Sequence, residues 1–74
     1  GTYKLLHGEK ITISLNNNRL MFDGKGPRTI PLLRQTEASF TLGERGRIVF
    51  FKDAAGRYST LYLNWEGVDY LGKK

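Results

Sequence analysis

The 74-residue sequence predicts an all-β domain: an antiparallel up-and-down meander of about eight short strands, curled into a small barrel or half-barrel. Three observations carry this expectation. Apolar residues recur at every second position, the period of a half-buried strand. Turn-forming residues interrupt that pattern every few positions. The connections are too short for the crossover of a dozen or more residues that parallel pairing requires, so neighbours in sequence pair as antiparallel hairpins. Curling such a sheet limits its exposed edges.

In the first segment Tyr3, Leu5 and His7 alternate on one face, with Lys4 and Leu6 on the other, and Gly8-Glu9 forms a tight turn. Ile11, Ile13 and Leu15 then alternate with Thr12 and Ser14 as a half-buried strand. Asn16-Asn17-Asn18 follows, and asparagine tolerates the left-handed backbone that hairpin turns need. Leu20 and Phe22 flank Met21 in a third strand. Asp23 to Pro27 reads as a loop by composition, and Thr29 to Leu33 resumes a strand with Ile30 and Leu32 on one face. Pro31 lacks an amide donor, which assigns that strand to an edge or a bulge.

Arg34 to Ala38 is the best place for a single helical turn, although no helix is required anywhere. Ala38, Phe40 and Leu42 alternate with Ser39 and Thr41, and Gly43 to Gly46 turns the chain. Ile48 and Phe50 alternate with Val49 and Phe51, as in a strand covered on both faces or partly covered by a neighbour. Asp53-Ala54-Ala55-Gly56 fits a type I turn closed by a left-handed glycine. Leu61, Leu63 and Trp65 alternate with Thr60, Tyr62 and Asn64; Glu66-Gly67 turns once more into Val68, Tyr70 and a basic tail.

The length sets one domain, residues 1–74. A chain this short buries only about 60% of its unfolded surface, which leaves a thin core and little room for a deep ligand cavity. There is no cysteine, so neither a disulfide nor a thiolate metal site supports the fold. No run of about 18 apolar residues spans a membrane, and no signal peptide is visible. A start at Gly1 rather than methionine leads to the expectation of a piece of a larger protein. The net charge is +5, from 12 Lys/Arg against 7 Asp/Glu. A basic balance raises nucleic acid or an anionic surface as a partner. The charges are scattered, however, with no run of three basic residues, which is the pattern of a solvated surface.

Nothing in the sequence assembles a catalytic, metal or cofactor site. His7 is the only histidine and has no cysteine or second histidine beside it, so a structural or surface role is expected. The carboxylates fall mostly in or beside turns, where they hydrogen-bond local amides, rather than as a pair facing one cleft. Ser14, Ser39 and Ser59 lack a Gly-x-Ser-x-Gly elbow. Gly24-Lys25-Gly26-Pro27-Arg28 has the composition of an anion loop. Pro27 and the β-type segment after it deny it the helix that such a loop needs, so a plain connection is the better reading.

The aromatic residues are more informative. Phe22, Phe40 and Phe50 are the best core candidates from alternation. If Ile48, Phe50, Leu61 and Leu63 point inward, Phe51 and Tyr62 point outward. They then form an exposed apolar patch framed by Lys52 and Arg57. Such a patch reads either as an interaction surface or as a cross-strand pair worth a few tenths to about 1 kcal/mol.

The order of motifs adds a resemblance. Gly1-Thr2-Tyr3 opens the chain, Asn18-Arg19-Leu20 follows an asparagine turn, and Pro31-Leu32 leads to Phe40. The most specific stretch is Ile48-Val49-Phe50-Phe51-Lys52-Asp53-Ala54-Ala55-Gly56, then Leu61-Tyr62-Leu63. In these features the chain resembles the small C-terminal domain of unknown function appended to bacterial serine beta-lactamase-like and penicillin-binding-protein-like hydrolases. The resemblance covers nearly the whole chain and fits the stretch from Trp65 to Lys74 least well. It implies a lipocalin-like meander, a periplasmic or extracellular setting, and a catalytic domain in the same parent chain that carries the hydrolase chemistry.

The expected function is thus a non-catalytic accessory domain that packs against or modulates an envelope serine hydrolase. The alternatives are a lipocalin-like module for a small ligand or glycan and, ranked below it, a small basic barrel that binds single-stranded nucleic acid through Phe51, Tyr62, Lys52 and Arg57.

Overall fold

The computed structural model describes residues 1–24 and 29–74. These form one antiparallel sheet that curls into a nearly closed barrel. Its strands are β1 (Thr2–Leu5), β2 (Lys10–Asn16), β3 (Arg19–Asp23), β4 (Ile30–Pro31), β5 (Leu33–Arg34), β6 (Ser39–Thr41), β7 (Gly46–Lys52), β8 (Tyr58–Trp65) and β9 (Val68–Lys73). The order across the sheet is β4-β3-β2-β1-β9-β8-β7-β6-β5. Every hairpin neighbour in sequence is a neighbour in space, and the first and last strands pair.

The two edges of this sheet, β4 and β5, are separated in sequence by Leu32 alone. Two Cα–Cα steps reach at most about 7.6 Å, so the edges meet at that point. The stretch from Ile30 to Arg34 is in effect one strand that changes partner midway. Its first half pairs with β3 through Met21↔Pro31 and Phe22↔Ile30. Its second half pairs with β6 through Leu33↔Thr41 and Arg34↔Phe40. The Leu32 amide still donates to the Leu20 carbonyl at 2.9 Å, and its side chain is buried at the seam. The count of nine strands rather than about eight comes from this exchange. Pro31 stands on an edge strand, where its missing donor leaves no gap in a ladder.

The other closure is made by the C-terminal segment. The basic tail expected after Tyr70 is instead part of β9, which pairs with β1 through Lys4↔Lys73 and Leu5↔Gly72. Gly72 fits here because a Cβ at that position would come within 3.0 Å of Leu5 Cδ2 and 3.2 Å of Leu61 Cδ1.

The interior is filled by side chains. Leu5, Ile11, Phe22, Ile48, Leu61 and Leu63 are fully buried. Among the described residues no polar or charged side chain is buried. Phe50 contacts three other rings: Phe40 edge-on at 5.8 Å, Tyr3 at 6.0 Å and Tyr58 at 6.1 Å. At the far end of the barrel Phe22 stacks on Trp65 at 5.8 Å.

Local chemistry sets where strands stop. β1 ends at Leu5 because its carbonyl accepts from Gly8 and its amide donates to Glu9. This turn removes His7 from the expected alternation and leaves it exposed. Leu15 is also exposed, because β2 has no β1 neighbour beyond Ile13, whose amide donates to the Gly1 carbonyl. Arg34 to Ala38 contains no helical turn. The amides of Gln35 and Thr36 both aim at the Ser39 carbonyl, and Thr36 Oγ1 accepts from the Ala38 and Ser39 amides at 3.3 and 3.2 Å. A threonine side chain that bonds local amides in this way competes with helix. Two-residue turns close two hairpins: Asn17-Asn18 at φ 52° and 64°, and Glu66-Gly67 at 49° and 85°.

Candidate interaction surface

The outward face of β7, β8 and β9 carries a continuous apolar band. Val49 on β7 stands opposite Tyr62 on β8, and Tyr62 stands opposite Leu71 on β9. Leu6 continues the row past the end of β1, its amide donating to the Leu71 carbonyl at 3.0 Å. Phe51 lies two residues along β7 from Val49, on the same face. Leu6, Phe51 and Leu71 are 72%, 49% and 48% exposed. A cleft of about 600 Å³ opens beside the band, lined by Leu6, His7, Tyr62, Asp69, Tyr70 and Leu71. Alternation in antiparallel sheets normally leaves polar residues outside; here four adjacent chain segments depart from it at one level.

A polar group borders the band. Asp69 Oδ1 accepts from the Tyr62 hydroxyl at 2.6 Å and from Asn64 Nδ2 at 2.8 Å. These two bonds, that of Tyr62 first, hold the Asp69 carboxyl below the ordinary aspartate range. The same bond to Asp69 pushes the Tyr62 phenol up.

Of the four residues singled out from the sequence, Phe51 and Tyr62 share this face. Lys52 sits at the end of β7, its Nζ 5.3 Å from the Tyr58 ring centroid. Alternation along β7 puts Lys52 on the face of Phe50, opposite Phe51, and a β-bulge in β8 turns Tyr58 to meet it. Phe51 pairs with Thr60 but Lys52 pairs with Tyr58, so Ser59 is the extra residue and the pleat reverses there. Arg57 is exposed in the following hairpin turn, where its amide donates to Asp53 Oδ1 at 3.0 Å. The sequence reading missed Leu6 and Leu71 as members of the band. The alternation of Leu6 with Tyr3 and Leu5 gave one signal, and the neighbouring Gly72-Lys73-Lys74 gave Leu71 the look of a tail.

The candidate chemical residues lie apart. His7 Nε2 meets Glu9 Oε1 at 2.9 Å within one turn, and its ring packs on Tyr70 at 5.0 Å between centroids. Asp53 accepts from the amides of its own turn, at 2.9 Å from Ala55. Glu66 lies 3.8 Å from Arg45. Among the described residues no three His, Cys, Asp or Glu side chains cluster as metal ligands. Lys25 to Arg28 of the glycine-containing loop lie outside the described residues. No helix among the described residues is long and apolar enough to cross a membrane. The fold defines an all-β, nearly closed antiparallel meander barrel. No family model, curated protein or solved structure matches the chain.

Proposed function

We propose that this chain is a non-catalytic accessory domain that packs through its outer band against the catalytic domain of the same parent chain. The observation that carries this reading is the row Val49–Tyr62–Leu71–Leu6 with Phe51 beside it, an apolar surface laid across four neighbouring segments. Contiguous exposed apolar surface of this kind marks interaction sites. Interfaces between domains of one chain cover about 600–1,500 Å² and are more polar than obligate ones. The Tyr62, Asn64 and Asp69 group suits the polar edge of such a contact. The resemblance in the Ile48 to Leu63 stretch supplies the kind of partner: a beta-lactamase-like serine hydrolase working in the periplasm or outside the cell.

The test is to remove this domain from its parent and to substitute Phe51→Glu and Leu71→Glu together in the intact protein. Loss of thermal stability, activity or substrate range in both forms, with the isolated domain still folded, supports the reading. Unchanged stability, activity and substrate range in both forms overturns it.

A further inference from the structure

The two ends of the barrel differ. The far end is stopped by Trp65 stacked on Phe22, with the Arg45 guanidinium over the indole at 5.4 Å. The end that holds Gly1 and Lys74 carries a cleft of about 240 Å³. Its floor is apolar and aromatic: Tyr3, Leu20, Phe40, Phe50 and Tyr58, with Ile13 at the side. The bulge after Phe51 builds part of this floor, because it turns Tyr58 to the mouth, where its backbone carbonyl accepts the Tyr3 hydroxyl at 3.1 Å. Burial pushes the Tyr3 phenol up, so this hydroxyl stays protonated and donates.

Three cations stand over three of these rings. Arg34 Cζ lies 5.0 Å from the Phe40 centroid, Lys52 Nζ 5.3 Å from Tyr58, and Lys74 Nζ 5.4 Å from Tyr3. All three side chains are exposed. Among the described residues that line the cleft, Glu37 alone has a carboxylate side chain. Cation–π contacts hold a charge near a ring without neutralising it. The mouth therefore presents an apolar floor under a positive rim.

We propose that this mouth binds a small amphipathic anion, a carboxylate carrying one aryl or short acyl group, with the apolar part on Phe40, Phe50 and Tyr58 and the carboxylate between Arg34 and Lys74. The size follows from the volume. Drug-sized sites occupy about 300 Å³ or more, and the filled interior admits nothing deeper, so the ligand is smaller than a drug and sits at the rim. This site is separate from the outer band, and its test does not depend on the accessory reading.

The probe is 3-phenylpropionate, titrated into the 74-residue chain and followed by amide chemical shifts. Its neutral amide and 3-phenylpropylamine serve as charge controls. Saturable shifts centred on Tyr3, Leu20, Phe40 and Tyr58 are expected, with a dissociation constant of about 0.1–10 mM for a ligand of about eleven heavy atoms. The amide should bind at least about threefold more weakly and the amine more weakly still. Replacing Arg34 and Lys74 together by glutamine should weaken the carboxylate about tenfold and leave the amide unchanged, as expected for two exposed charges. Both positions are on the surface, and retained shift dispersion verifies their fold. Absence of saturable shifts, equal affinity for carboxylate and amide, or shifts centred on Leu6 and Leu71 overturns the proposal.

Discussion

Tyr62 donates its phenolic hydrogen to Oδ1 of Asp69 over 2.6 Å, joining β8 to β9 at the edge of the apolar band. Asn64 donates to the same oxygen, so both bonds favour the ionised carboxylate. The Asp69 contribution to stability is then fully present above the ordinary aspartate range and is lost as pH falls through its lowered folded value. The raised Tyr62 phenol has the opposite dependence: its contribution is present below the ordinary tyrosine range and is lost as pH rises through the folded value. Tyr62→Phe should raise the Asp69 titration midpoint, read from its carboxyl carbon shift. Asn64→Ala should raise it by less. An unchanged midpoint in Tyr62→Phe would show that the bond does not form in solution.

Gly46 opens β7 at φ 149°, and a Cβ there would lie 1.8 Å from the Asn64 carbonyl oxygen. That neighbour is backbone of the paired strand and cannot move aside. Gly46→Ala should cost at least about 2 kcal/mol, from overpacking and left-handed strain together. For a domain of this size that lowers the melting temperature by about 10 °C or more. Gly43→Ala in the same turn, where the added methyl meets open space, should cost about 1–2 kcal/mol from strain alone. Thermal melts of the two variants measure the difference.

Glu66 occupies the first position of its two-residue turn at φ 49°, where asparagine is the favoured residue. Glu66→Asn should stabilise the domain by about 0.5–1 kcal/mol. The ion pair it removes, at 3.8 Å from Arg45 with both side chains about 60% exposed, contributes little. A rise of about 2–8 °C in melting temperature is expected. A fall would mean that the pair outweighs the backbone strain.

Much of the barrel was legible because its strands are local. Tyr3 and Leu5, Ile11 and Ile13, and the run of Leu61, Leu63 and Trp65 alternate at period two and are buried. The positions of Asn17-Asn18 and Glu66-Gly67 fix their hairpins through turn chemistry that side chains reveal. That the sheet curls into a barrel was legible; which strands close it was not. The pairing of β1 with β9 joins residues at opposite ends of the chain, and Gly72 has no side chain to announce that it faces a core. The partner exchange at Leu32 and the bulge at Phe51/Lys52 are also events between strands. Tyr58 joins the ring cluster around Phe50 through that bulge, whereas Lys52, two positions after Phe50, lies on the face opposite Phe51 by alternation alone. Phe51 and Tyr62, two of the five residues of the candidate surface, followed from the pleat; Leu6 and Leu71 join it only once β1 and β9 are neighbours.

The most direct measurement is amide shift mapping of the isotopically labelled domain on addition of the catalytic domain proposed for its parent chain. Perturbations confined to Leu6, Val49, Phe51, Tyr62 and Leu71, and abolished by Phe51→Glu with Leu71→Glu, are the expected result. No perturbation at saturating partner, or perturbation centred on other faces of the barrel, contradicts the assignment of the outer band as the docking surface.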